Sequence, residues 1–175
     1  MNRTDLARRI FEVSNLKGEF LLRSGQTSNE YFDKYLFEAD PGLLKSIGEA
    51  MSDIVPAGTD ALAGLEMGGI PIATVLSQIT GIPSLFVRKK AKPYGTCKLA
   101  EGGAVPGRKL LIIEDVVTSG GQILESVREL RNMGAIITDV LCVIDRESGG
   151  VENLQNDGLD LHPLFTMTEL KKAAT

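Results

Sequence analysis

The sequence is poor in the residues that build metal centres and covalent frameworks. Cysteine occurs twice, at Cys97 and Cys142, without metal-ligand spacing, and histidine once, at His162. A disulfide scaffold would need more cysteines, so a reducing compartment is the natural expectation. No stretch approaches about 18 uninterrupted apolar residues, so no membrane-spanning helix is expected. Met1-Asn2-Arg3-Thr4-Asp5 runs into mixed charged and apolar residues, which argues against a secretory signal. A basic excess is also missing. The formal net charge of −4 opposes general nucleic-acid binding, which needs a cationic face to neutralise phosphates. These absences point to a cytoplasmic protein without nucleic-acid or membrane partners.

What is present describes one domain over residues 1–175. The chain is 43 % hydrophobic and 24 % charged, and long enough to bury a core without disulfides or structural metal. Leu6, Ile10 and Val13 share one face of a helix over 4–15 with Thr4 as its cap. Phe20-Leu21-Leu22 reads as a short strand, 24–29 as a polar turn, and Tyr31-Phe32-Asp33 as extended. Asp40 caps a helix with Pro41 in its first turn. From residue 60 onward, short apolar runs alternate with helices: strands over 61–65, 84–87, 110–113 and 136–144, helices over 70–80 and 121–133. Thr166 and Glu169 have capping-box spacing before a C-terminal helix. Such alternation implies an α/β fold with a central parallel sheet, and ligands then sit beyond the carboxyl ends of the strands.

The most informative of those strand ends is Glu114-Asp115-Val116-Val117-Thr118-Ser119-Gly120-Gly121-Gln122. Adjacent acids are followed by a small-residue loop that opens a helix. Backbone N–H groups of Thr118, Ser119, Gly120 and Gly121 can converge on one phosphate at the positive end of the helix dipole. The acids suit a vicinal diol, so the spacing fits a ribose 5-phosphate. The plainer alternative is a solvated strand end followed by a turn.

Three other stretches stand out. Arg88-Lys89-Lys90-Ala91-Lys92-Pro93-Tyr94 concentrates cations after a buried strand, within a connection long enough to be a lid, although most charge runs are solvated faces. Glu66-Met67-Gly68-Gly69 joins another strand to another helix, and its glycines would let backbone amides approach a second phosphate; a tight connecting turn is the competing reading. The third is the combination of the 20–33 segment with Val143-Ile144-Asp145-Arg146-Glu147.

The segment Ile113-Glu114-Asp115-Val116-Val117-Thr118-Ser119-Gly120-Gly121 resembles the phosphoribosyl pyrophosphate (PRPP) signature of the type I phosphoribosyltransferases. With the other three stretches it resembles the orotate-using branch of that family, in order from about Phe20 to Gly150. The resemblance implies the type I fold with a small N-terminal hood over the base site, formed by about residues 1–40. It also implies Mg²⁺ as cofactor, PRPP and orotate as substrates, orotidine 5′-monophosphate and pyrophosphate as products, and a homodimer. Carried over, PRPP contacts fall on Arg88, Lys89, Lys92, Tyr94 and Glu114 through Gln122, with Arg88 reaching into the neighbouring subunit. Orotate contacts fall on Arg23, Tyr31, Phe32, Thr118 and Arg146. Glu66, Met67, Gly68 and Gly69 become a pyrophosphate loop, and Lys92 and Asp115 the residues most important to catalysis. No protein metal ligand is assigned.

The chain departs from the family's pattern at several places. Arg23 stands where lysine is frequent. Tyr94 replaces a histidine found in many members, so His162 reads as structural. Gly68 replaces a lysine of some members, leaving only backbone contacts there. A purine acceptor and a PRPP-sensing regulator remain the rival readings. The second would need an added DNA-binding module and a basic surface.

Overall fold

The computed structural model describes residues 1–21, 25–90 and 98–175. The chain opens with α1 (Arg3–Ser14), capped by Asn2, whose side chain accepts the Asp5 N–H. Asn2 replaces Thr4 in that role because its Oδ1 reaches the orphan donor three residues on. An antiparallel hairpin follows, β1 (Asn15–Leu21) with β2 (Thr27–Phe32), Asn15 opposite Phe32. It starts earlier and extends further than its apolar residues suggest. Both strands are largely exposed, so ladder hydrogen bonds rather than a buried face set their ends.

Asp33 accepts the Tyr35 N–H and starts α2 (Lys34–Ala39), a helix too short to announce itself by periodicity. It is anchored by Phe37, fully buried. Asp40 then caps α3 (Pro41–Ser52), accepting from the Gly42 and Leu43 N–H groups.

The second, larger sheet runs in the order β5-β4-β3-β6-β7-β8. Its strands are β3 (Ala61–Leu65), β4 (Ser84–Val87), β5 (Ala100–Glu101), β6 (Lys109–Val117), β7 (Ile136–Asp145) and β8 (Asp160–Thr166). All neighbours are parallel except β5, which runs antiparallel to β4 at the edge. The helices are α4 (Gly69–Thr80), α5 (Gly121–Asn132), α6 (Gly150–Gln155) and α7 (Met167–Ala173). Neither β5 nor α6 has a readable sequence signal.

β6 shows why its apolar run is unbroken. Leu111 and Ile113 face a core shared with α1, α2, α3 and α4, whereas Leu110 and Ile112 face a second core under α5. A strand covered on both faces has no polar side to alternate with. Among the described residues no helix is long and apolar enough to cross a membrane.

The connections also fix where a ligand can bind. β3 has β4 on one side and β6 on the other, so the chain leaves β3 in one direction and the sheet is later extended in the opposite one. That reversal opens a crevice beyond the carboxyl ends of β3 and β6.

Candidate functional site

Two segments meet at this crevice. β3 runs into Glu66-Met67-Gly68-Gly69, and the Glu66–Met67 peptide is cis. β6 carries Glu114 and Asp115 within the strand rather than after it: Glu114 stands opposite Cys142, and pairing with β7 continues to Val117. The loop proper starts at Thr118. Gly120 adopts a left-handed φ of 77° immediately before α5, a conformation glycine takes without strain. The loop and the first turn of the helix enclose a cavity of about 160 Å³, lined by Glu114, Val116, Thr118, Ser119, Gly121 and Gln122 among others. Val117 turns its side chain into the core.

The loop is braced from the far side. Asn153 of α6 donates to the Ser119 carbonyl at 3.0 Å. A Cβ at Gly150 would lie 2.6 Å from the Thr118 carbonyl oxygen, so only glycine lets α6 approach this closely.

Beneath the loop lies a buried charge cluster. Asp115 is fully buried, and its Oδ2 lies 2.6 Å from the Lys34 ammonium. Glu114 folds back so that its Oε1 accepts the Asp115 N–H at 3.0 Å. Burial pushes the Glu38 carboxyl up to about 9, aided by its hydrogen bond with Asp115 and by that group's charge. Burial and Asp115 likewise hold Glu114 well above the usual carboxylate range. Burial opposes ionisation of Asp115 too, yet hydrogen bonds with Glu114 and Lys34 hold it below the usual range. For Lys34 burial pulls downward, but Asp115 outweighs it and the ammonium is raised. The cluster therefore favours an ionised Asp115 beside a charged Lys34, with the Glu38 and Glu114 carboxyls pushed toward their neutral forms.

Gly68 closes the cluster from above. A Cβ there would sit 1.7 Å from Asp115 Oδ2 and 2.9 Å from Glu38 Oε1. One at Gly69 would sit 2.2 Å from the Ile113 carbonyl oxygen. The root of the cationic segment is tied to the same turn, since the Lys89 N–H donates to Glu66 Oε1 at 2.6 Å and Glu66 N–H to the Val87 carbonyl at 2.8 Å. Arg88 Nε lies 3.9 Å from Glu101.

A separate cavity of about 260 Å³ brings Tyr31, Phe32 and Arg146 together with Asn15, Glu30 and Lys171. Arg146 is placed by its N–H, which donates to the Val117 carbonyl just before the loop that opens α5. Glu30 is paired with Lys17 at 2.8 Å, which holds its carboxyl low and offsets its charge. Arg146 and Lys171 therefore leave the cavity cationic.

Arg23, Lys92 and Tyr94 lie outside the described residues. Of the others, the structure gathers Glu66, Met67, Gly68, Gly69, Glu114 and Asp115 at the crevice. Thr118 lines the cavity at the start of α5 rather than the one containing Arg146. Lys34, Glu38 and Lys171 escaped the sequence reading. The spacing Asp33-Lys34 to Glu38 resembles an ordinary exposed helix, and the capping box locates α7 without saying what its Lys171 faces. His162 bonds Asp139 at 2.8 Å between neighbouring strands β7 and β8, away from both cavities. Cys142 is buried, and burial pushes its thiol far up, which removes it as a nucleophile.

Comparison with known proteins agrees with this geometry. The family model described as phosphoribosyl transferase domain matches residues 37–157. An orotate phosphoribosyltransferase of a Nocardioides species is 54 % identical over 168 residues, covering 96 % of this chain and 94 % of that protein. The crystal structure of Mycobacterium tuberculosis orotate phosphoribosyltransferase with Fe(III) dicitrate superposes with a TM-score of 0.88 at 29 % identity, covering 96 % of this chain and 98 % of that one. The complex of the Mycobacterium tuberculosis enzyme with PRPP gives a TM-score of 0.84 at 26 % identity, covering 97 % and 98 %. The chain belongs to the phosphoribosyl transferase family, in its orotate phosphoribosyltransferase branch.

Proposed function

We propose that the chain transfers the 5-phosphoribosyl group of PRPP to orotate, giving orotidine 5′-monophosphate and pyrophosphate, in de novo UMP synthesis in the cytoplasm. The observation that carries this reading is one crevice in which a helix-terminal glycine loop, buried acids and a second glycine turn stand together. It fits the ends of a ribose 5-phosphate that bears a further phosphate group.

In the proposed mechanism the bond between ribose C1 and the pyrophosphate oxygen breaks through an oxocarbenium-like state. Thr118 to Gln122 hold the 5-phosphate at the α5 N-terminus, and Glu114 serves the ribose hydroxyls with Asp115 buried behind it, its oxygens engaged by Lys34 and the Val116 N–H. Backbone groups of Glu66, Met67, Gly68 and Gly69 border the pyrophosphate. Arg88, Lys89 and Lys92 neutralise the leaving group where charge develops and the Tyr94 hydroxyl donates to it, with Lys92 the residue of greatest weight for the rate. Arg23, Tyr31, Phe32 and Arg146 hold the planar, anionic acceptor, for which a guanidinium offers bidentate contact. Lys171 adds to the positive potential of that cavity. Orotate N1 bonds to C1 as the C1–O bond breaks, and the N1 proton passes to the departing pyrophosphate, whose oxygens are basic enough to take it.

Mg²⁺ belongs to this reading. Asp115 is occupied by Lys34 and Glu114 is turned onto the Asp115 backbone, so the ion fits best among pyrophosphate and ribose oxygens. Bound there it would stabilise the departing charge. A homodimer is also proposed, with Arg88 serving the site of the neighbouring subunit.

The test is orotate consumption followed by ultraviolet absorbance, with guanine, hypoxanthine and adenine as rival acceptors. Loss of orotate only when PRPP and Mg²⁺ are both present is the expected outcome. Turnover of a purine in its place would overturn the acceptor and leave the ribose-phosphate site standing.

A further inference from the structure

Lys34 belongs to none of the motifs, yet the structure brings its ammonium to the buried acids. We propose that Lys34 is a positioning residue of the ribose-phosphate site: its pairing with Asp115 clamps that acid against the Gly68–Gly69 turn, so that the ribose side and the pyrophosphate side of the crevice are held in one frame before ligand arrives. The inference rests on the reading of the crevice as a PRPP site.

The clamp is a matter of geometry. Asp115 Oδ2 is bounded by the Lys34 ammonium at 2.6 Å and by the Gly68 backbone, which stands so close that a single added carbon would lie 1.7 Å away. The other Asp115 oxygen accepts the Val116 N–H at 2.5 Å. The carboxylate is thus held between the strand that opens the phosphate loop and the turn that closes the opposite wall. Lys34 is held in turn by its helix. Asp33 caps α2, buried Phe37 anchors it, and the Tyr35 ring lies 5.3 Å from the ammonium.

Electrostatics makes the lysine necessary rather than incidental. Glu38 faces Asp115 from α2 and Glu114 adjoins it on β6, while Asp33 adds negative charge at the start of α2. Cys142 lies opposite Glu114 on β7, and the Gly68–Gly69 turn contributes no ionisable side chain. Removing one partner of a buried ion pair leaves the other uncompensated. Without Lys34 the buried Asp115 carboxylate loses its cationic partner and retains a proton to higher pH. A protonated Asp115 loses its ionic tether to Lys34 beside Gly68, and the two walls of the crevice are no longer held in one frame.

The experiment compares the full chain with Lys34→Met and Lys34→Arg by calorimetric PRPP binding across neutral to alkaline pH. Melting temperatures and the orotate KM are measured alongside. Lys34→Met is expected to weaken PRPP binding roughly tenfold or more at neutral pH, with partial recovery as the pH rises and Asp115 ionises. Lys34→Arg should retain most affinity without that pH dependence, and the orotate KM should change little in both. Wild-type affinity and pH profile in Lys34→Met would overturn the proposal. So would an equal, pH-independent loss in both variants that follows melting temperature, because that is the mark of a purely structural lysine. If the unsubstituted chain does not bind PRPP, the reading of the crevice fails, and this inference with it.

Discussion

Individual side chains in the crevice leave almost no freedom, and Gly68 shows it most plainly. Its φ of −69° is open to any residue, so glycine is required by space and not by backbone conformation. An alanine Cβ would overlap the Asp115 carboxylate and crowd Glu38 Oε1. Overpacking of this kind costs about 1–3 kcal/mol, and in a chain of this size each kcal/mol moves the melting temperature by about 2–4 °C. Gly68→Ala should therefore melt a few degrees lower and, because Asp115 must move, raise the KM for PRPP about tenfold or more. Steady-state kinetics with a thermal melt would check both, and unchanged PRPP kinetics would show that the acid can shift without consequence. At this scale the sequence was partly legible. Glycine-rich turns and paired acids beside cations are visible as letters, and their chemistry follows from residue type. Lys34 was not visible as a site residue, since nothing in its neighbours says that α2 turns it toward a strand some eighty positions later.

Secondary-structure elements were legible in proportion to how much apolar surface each one buries. β3 and β4 match their apolar runs, and α4 ends at Gly81 in a left-handed turn as the pattern predicts. β6 was foreseen only as far as Ile113, because acids break the apolar run although the ladder with β7 continues to Val117. The hairpin of β1 and β2 carries a weak signal because both strands are largely exposed, and the edge strand β5 and the helices α2 and α6 because they are too short to show a period. Of these, α2 matters most, as it presents Lys34 and Glu38 to the site and is seated by one ring. Replacing Phe37 with alanine removes a fully buried side chain, at about 3–5 kcal/mol. The melting temperature should fall by roughly 10 °C. PRPP affinity should fall beyond what global unfolding explains, measured at a temperature where the variant remains folded. A stability loss with wild-type PRPP affinity would mean that α2 keeps its place without this anchor.

The strand order of the larger sheet reverses beside β3, and the candidate site gathers at that reversal. The proposed dimer adds a requirement at this scale: Arg88 of one subunit serves the site of the other. Mixing subunits bearing Arg88→Ala with subunits bearing Asp115→Asn tests it. Each homodimer would be impaired at both sites, whereas a hybrid would concentrate both defects in one site and leave the other whole. Random mixing should then restore activity to about a quarter of the wild-type level. No recovery, with hybrid formation verified by native mass spectrometry, would place Arg88 in its own subunit's site.

The sequence by itself determined the α/β class, the small-residue loop at 118–122 and the acids before it. These are local facts: an apolar run long enough for a covered strand, glycines where a backbone must turn, acids adjacent in the chain. Only the tertiary structure decided that Asp115 is sealed beneath Gly68 and paired with Lys34, that Glu38 is pushed toward its neutral form, and that Lys171 shares a cavity with Arg146. Burial and charge pairing depend on which distant elements come into contact, and contact is a property of the packed sheet and helices.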